Sequence, residues 1–164
     1  MEYDKIMPQR ELFFEGEFTS MNEYIEAERI NRYEAAKIKE VETGRVRYDA
    51  NGVQPVESYP LDVTFIWIRK DRRSDPGNIA FGEKFIMDGL QSAGVIKADG
   101  WNQIRSISHK FELDKDNPGV VVSLVWDDPQ KTKTARHEQA VFKLAARDTG
   151  TEAANLGIRE TDHA

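Results

Sequence analysis

The sequence predicts an α/β fold, a small mixed β-sheet packed by two main helices. Three observations lead there. Val63, Phe65 and Trp67, with Thr64, Ile66 and Ile68 between them, form a β-branched and aromatic run of the kind that builds a buried strand. Asp75-Pro76 places a capping residue before a proline at the first helical position, and Gly94 supplies the matching stop, so a helix is predicted over 76–93. Asp116-Asn117-Pro118-Gly119 is a turn between apolar stretches and predicts a hairpin joining strands 101–113 and 119–126.

Taken in order, residues 12–18 (LFFEGEF) read as a first strand. Ser20 followed by Glu23 is a capping box. It opens a helix predicted over 21–41, with Tyr24, Ala27, Ile30, Tyr33 and Ile38 at helical spacing and Gly44 as terminator. Residues 48–60 hold turn residues and two prolines and read as a loop into the central strand, 62–70. In the helix over 76–93, Ile79, Gly82, Ile86, Leu90 and Ala93 share one side, widened by Phe81 and Phe85. Gly77, Lys84, Asp88 and Gln91 share the other. Asp99-Gly100 is a turn into the next strand, where the slipping phase of Trp101, Ile104, Ile107 and Phe111 predicts a bulge.

The chain has 164 residues, 39% hydrophobic and 32% charged, which suits a folded domain able to remove about 70% of its unfolded surface from water. The domain is placed at 1–127. Residues 128–164 read as an appendage, with an amphipathic helix at 134–147 and small, polar, disordered sequence beyond Asp148. With no cysteine, neither a disulfide nor a thiolate site is available, which fits a reducing cytosol. MEYDKIMPQR lacks the basic and apolar regions of a secretory signal, and no apolar stretch approaches the ~20 residues of a membrane span. A cytoplasmic protein with no membrane partner is expected.

The net charge of −6 sits awkwardly with a nucleic-acid partner, but basic residues cluster at 29–47, at 69–73 and at 131–136. Carboxylates gathered for a divalent cation also lower the net charge without repelling a polyanion once metal is bound. One carboxylate stands at each mouth of the strand–helix–strand unit, Asp75 and Asp99, with Lys84 between them in sequence. Each has a plainer reading. Asp75 is also a helix cap, Asp99 a turn residue and Lys84 a solvated helix residue. His109, alone on its strand, reads as half-buried or surface.

Arg72-Arg73, Asp75-Pro76-Gly77-Asn78, Lys84, Asp88-Gly89-Leu90, Gly94 and Asp99 follow one another in an order that resembles the RusA-type Holliday-junction resolvases, above all their phage and prophage relatives. Those proteins carry a basic run, Asp-x-Asp-Asn opening a helix, a lysine within it, Asp-x-Leu, a glycine and a further aspartate. The resemblance extends back to Met21-Asn22-Glu23-Tyr24 and forward through Val120 to Val125, covering roughly residues 10–126. One departure stands out. The family's second aspartate is Gly77 here.

The resemblance implies Mg²⁺-dependent hydrolysis of DNA at four-way junctions, with Mn²⁺ as a substitute ion, in recombination and repair within a bacterial host. Asp75 and Asp99 would be the metal ligands, and Lys84 would neutralise charge on the phosphate or leaving oxygen. Asn78 and Asp88 would support them from behind. Arg69, Lys70, Arg72, Arg73 and Asn22 would contact the DNA backbone. Tyr24 reads as a core aromatic. A symmetric homodimer is implied, since a four-way junction is nicked on two opposed strands. Gly77 leaves two other readings open. One is a weakened or inactive relative that binds branched DNA, with Asp71 or Glu83 as possible substitutes for the missing carboxylate. The other is a non-enzymatic phage assembly or regulatory protein on the same fold.

Overall fold

A computed structural model describes residues 7–152, the side chains at 131, 132, 135 and 147–152 excepted. The chain divides into two compact units, Met1–Asp127 and Asp128–Ala164. The first runs β1 (Gln9–Glu15), α1 (Met21–Ile30), α2 (Arg32–Asp49), β2 (Leu61–Arg69), α3 (Pro76–Ala80), α4 (Glu83–Ser92), β3 (Ile104–Leu113) and β4 (Gly119–Trp126). Its four strands form one sheet in the order β1-β4-β2-β3. β2 and β3 are parallel, while β4 is antiparallel to both β1 and β2. The domain is a small mixed α/β fold.

The predicted hairpin does not form. β2 lies between β3 and β4, so those strands never pair. A strand reached through a helical crossover returns parallel to the one it left, and β3 takes that place beside β2. The Asp116–Gly119 turn instead carries the chain across the end of β2. Asp114 N–H donates to the Arg69 carbonyl at 3.0 Å, and Asp114 Oδ1 accepts from the Asp116 and Asn117 amides at 2.9 and 3.1 Å. The predicted bulge is present, as a register shift between Leu61 and Asp62 in the β2–β3 pairing.

Alternation on the strands decides which face is covered. Leu12 and Phe14 on β1, Val63, Phe65 and Trp67 on β2, and Val120, Val122 and Leu124 on β4 are all buried on one side, against Phe85, Ile86 and Leu90 of α4. Each such side chain is worth roughly 1.5–3 kcal/mol of burial. β3 is the exception. Its register puts Ile107, Phe111 and Leu113 on the covered face, yet they remain 42, 40 and 50% exposed at the sheet's edge.

Both long helices predicted from periodicity are broken. The expected helix 21–41 is split at Asn31, whose backbone is extended (φ −170°, ψ 159°) and whose side-chain oxygen accepts from the Tyr33 and Glu34 amides. An internal asparagine that caps the helix after it competes with continuing the helix before it. α2 then runs through Gly44, the expected terminator, to Asp49. The expected helix 76–93 is interrupted between α3 and α4, at Phe81-Gly82. There a β-carbon on Gly82 would stand 3.0 Å from Phe18 Cβ and 3.1 Å from the Trp67 ring, so the backbone passes where no side chain fits comfortably. Gly94, with φ +77°, closes α4 as expected.

Smaller differences follow the same logic. The first strand begins earlier than predicted, at Gln9, and ends before Gly16, whose φ is +82°. Trp101 falls outside β3, in the turn that precedes it. The second unit contains α5 (Pro129–Glu152), longer than the predicted helix at 134–147. Of the tail expected to be disordered, residues 153–164 lie outside the described residues. Among the described residues, no helix is long and apolar enough to cross a membrane.

Candidate functional site

α4 carries the site's cation. Phe85, Ile86, Met87 and Leu90 anchor the helix in the core, which turns Lys84 and Asp88 outward, one turn apart. The loop after α4 folds back alongside it and returns Asp99 to Lys84. Lys84 Nζ lies 3.1 Å from Asp99 Oδ2 and 3.0 Å from Asp88 Oδ1. Lys39 of α2 reaches the other Asp88 oxygen at 3.3 Å. Asp88 therefore fixes the direction of Lys84 and ties α2 to α4. The hydrogen bonds that Lys84 donates to Asp88 and then to Asp99, more than their charge, hold its ammonium above the usual lysine range.

Asp75 stands apart from this trio. It occupies the N-cap position of α3, but its side chain makes no capping hydrogen bond, so the plain helix-cap reading leaves its carboxylate without a task. Three residues on, Asn78 Oδ1 is buried with no hydrogen-bond partner. Such an atom costs about 1–3 kcal/mol unless a donor reaches it. A β-carbon at Gly77 would meet nothing within 4 Å, so the position that departs from the family pattern opens onto free space. Asp75 also borders an open cleft of about 380 Å³, walled by Arg69, Arg72, Pro76, Ile79 and Phe111.

The basic turn is partly neutralised from within. Arg69 Nη2 is 3.2 Å from Glu17, Lys70 donates its backbone N–H to the same carboxylate at 3.1 Å, and Arg73 lies 3.6 Å from Asp71. Arg72 is exposed and lines the cleft. Asn22 is exposed in the first turn of α1, while Tyr24 packs against Phe81 and Phe85 with ring centroids 5.2 and 6.1 Å away. Ser20 and Glu23 form the predicted capping box, with the Ser20 amide held at 2.7 Å by the Glu23 carboxylate.

Sequence patterning missed one polar cluster. His109 is not isolated. Trp67 Nε1–H donates to His109 Nδ1 at 3.0 Å, and His109 Nε2 faces Glu83 Oε2 at 3.0 Å. The imidazole also stacks on Phe65, with centroids 5.3 Å apart. This links β2, β3 and α4 immediately beside Lys84, and it occupies Glu83, one of the carboxylates considered as a substitute at position 77. The other, Asp71, faces Arg73. Pairing across β2 and β3 brings these residues together, so only the parallel register could have revealed the cluster.

For a metal, the candidates are hard oxygen donors of the kind Mg²⁺ takes. Among the described residues, no three histidine, aspartate or glutamate side chains are arranged to hold an ion. Two carboxylates remain, Asp75 free of a cap bond and Asp99 on Lys84, and Mg²⁺ is commonly held by one or two carboxylates with the rest of its shell water. Both are oxygen donors of the type Mg²⁺ takes, but Asp75 stands apart from Asp99, and the described residues show no ready-made group that holds an ion. No protein-family model matches the chain, and no curated protein matches it.

Proposed function

We propose that the chain is a Mg²⁺-dependent, structure-selective endodeoxyribonuclease that resolves four-way DNA junctions, as its resemblance to the RusA-type resolvases implies. The observation that carries this reading is the contact between Lys84 and Asp99, 3.1 Å apart across fifteen positions of sequence. These are motif residues that the resemblance assigns to one site, and no helix periodicity requires them to meet. Asp75 and Asp99 would hold the ion, which would polarise the scissile phosphate and lower the pKa of an attacking water. Lys84, kept charged by its carboxylate partners, offsets negative charge on the phosphate oxygens. Arg72 grips the DNA backbone without reading sequence. Asn78, whose buried Oδ1 has no hydrogen-bond partner, would accept from a metal-bound water or support a ligating carboxylate.

Two copies related by a twofold axis would place two such sites on opposed strands. The proposal places this action in the cytoplasm of a bacterial host, by a protein of phage or prophage origin. A second reading, a relative that binds branched DNA without cutting it, is favoured by Gly77: among the described residues no three histidine, aspartate or glutamate side chains are grouped to hold an ion.

Gel shifts test both readings at once. A four-way junction is expected to bind more tightly than linear duplex of equal length. Affinity should also fall with salt at a log–log slope of about −0.9 per phosphate neutralised. Equal affinity for the two DNAs, or a flat salt response, removes the resolvase reading and its binding-only variant together.

A further inference from the structure

Trp101 is 100% exposed, whereas the other two tryptophans, Trp67 and Trp126, are 1% and 2% exposed. An indole left wholly in water holds some of the largest burial energy a side chain can supply, which a partner that covers it would gain. The turn that displays it is ordered by backbone bonds. The Gly100 carbonyl accepts from the Gln103 and Ile104 amides at 2.9 and 3.0 Å. Two residues before it, Asp99 is fixed by Lys84 at 3.1 Å. The turn therefore presents the indole two residues along the chain from Asp99 of the candidate catalytic pair.

Its surroundings decide what kind of partner it suits. Asp99, Gly100 and Asn102 flank it, all exposed, and Lys97 lies just upstream, also exposed. The core of a protein–protein contact is a cluster of apolar groups inside a polar rim. On this domain Ile107, Phe111 and Leu113 come closer to such a cluster, sharing one face of β3. A lone aromatic among polar groups suits something flat that brings its own polar and charged atoms. An unstacked nucleobase does so, and aromatic stacking tolerates any base because each has a π-face.

We propose that Trp101 is a stacking platform for an unpaired base at the branch point of the DNA substrate. This rests on the nucleic-acid reading above and deepens it. Continuous duplex keeps its bases stacked on one another and offers the indole only edges and phosphates. A branch point or a single strand exposes base faces, so Trp101 would contribute selectivity for branched over linear DNA.

Tryptophan fluorescence with acrylamide quenching isolates the residue, since the other two indoles are shielded. Titration of the full chain with a four-way junction is expected to quench Trp101 emission and to protect it from acrylamide, with little change for linear duplex. Trp101→Ala should weaken junction binding about 5- to 150-fold and leave duplex binding nearly unchanged. Trp101→Phe should recover most of that loss. A native chain that shifts the junction on a gel while Trp101 emission stays unchanged and Trp101→Ala binds as well would overturn the stacking role and leave the junction reading intact. If no junction is bound at all, both fall. Emission that changes with protein concentration without DNA would assign Trp101 to self-association and overturn the proposal.

Discussion

The Lys84 ammonium lies 3.1 Å from the Asp99 carboxylate, joining the first turn of α4 to the loop that precedes β3. Both side chains are partly solvated, so the pair adds only about 0–1 kcal/mol to stability. Lys84→Met is therefore expected to shift Tm by no more than a few degrees. Loss of a cation placed on the reacting phosphate should cost about a hundredfold or more in junction nicking. A thermal melt and a single-turnover nicking assay on the same preparation check the two parts. Unimpaired nicking would remove Lys84 from the chemistry.

Gly77 is open to a carboxylate, since a β-carbon there meets nothing within 4 Å. An aspartate in the first turn of α3 also sits well at the positive end of a helix. Gly77→Asp is expected to bind Mn²⁺ about tenfold more tightly than the native chain, a difference of about 1.4 kcal/mol. Calorimetric titration of both proteins measures it. Equal affinities would mean that position 77 does not face the ion.

Gly89 is where α4 passes α2. A β-carbon there would collide with the Val46 side chain and approach the Thr43 carbonyl to 3.0 Å. Gly89→Ala should destabilise the domain by about 1–3 kcal/mol through overpacking, despite the better helix propensity of alanine. Denaturant unfolding at constant m-value reads this directly. A stabilised variant would show that the two helices are free to separate.

Glu23 gives a pH signature. Its hydrogen bond from the Ser20 backbone, then that from the Ser20 hydroxyl, hold the carboxyl below its ordinary value. A lowered folded-state pKa contributes stability above the unfolded pKa of about 4.3, and that stability is lost as pH falls through the folded value. The Tm gap between the native chain and Glu23→Gln should therefore be widest near neutral pH and close in acid. A gap independent of pH would show that the capping box does not depend on charge.

The parts of the fold written in local chemistry were legible in the sequence: the capping box, the central strand, Gly94 as a helix stop, and the bulge. What escaped was decided by partners distant along the chain. Nothing local says that β2 will lie between β3 and β4, because a turn signal such as Asp116–Gly119 marks a change of direction and not which strand is met next. Periodicity continued both helices through two breaks, one capped by the Asn31 side chain and one at Phe81-Gly82, where the backbone runs close to Phe18 and the Trp67 ring. At the site, helical spacing alone put Lys84 and Asp88 on one face. Trp101 read as a strand residue because its aromatic character is the same in water as in a core. His109 read as isolated because its partners, Trp67 and Glu83, come from two other elements.

Mg²⁺-dependent nicking of an end-labelled four-way junction tests the central claim most directly, using the native chain, Gly77→Asp and Asp99→Asn. The account predicts paired nicks on opposed strands, stronger for Gly77→Asp than for the native chain. It predicts none for Asp99→Asn, which keeps its fold and still shifts the junction on a gel. Junctions bound by all three proteins but cut by none would leave the binding-only reading. Cutting by Asp99→Asn at the native rate would contradict the assignment of the site.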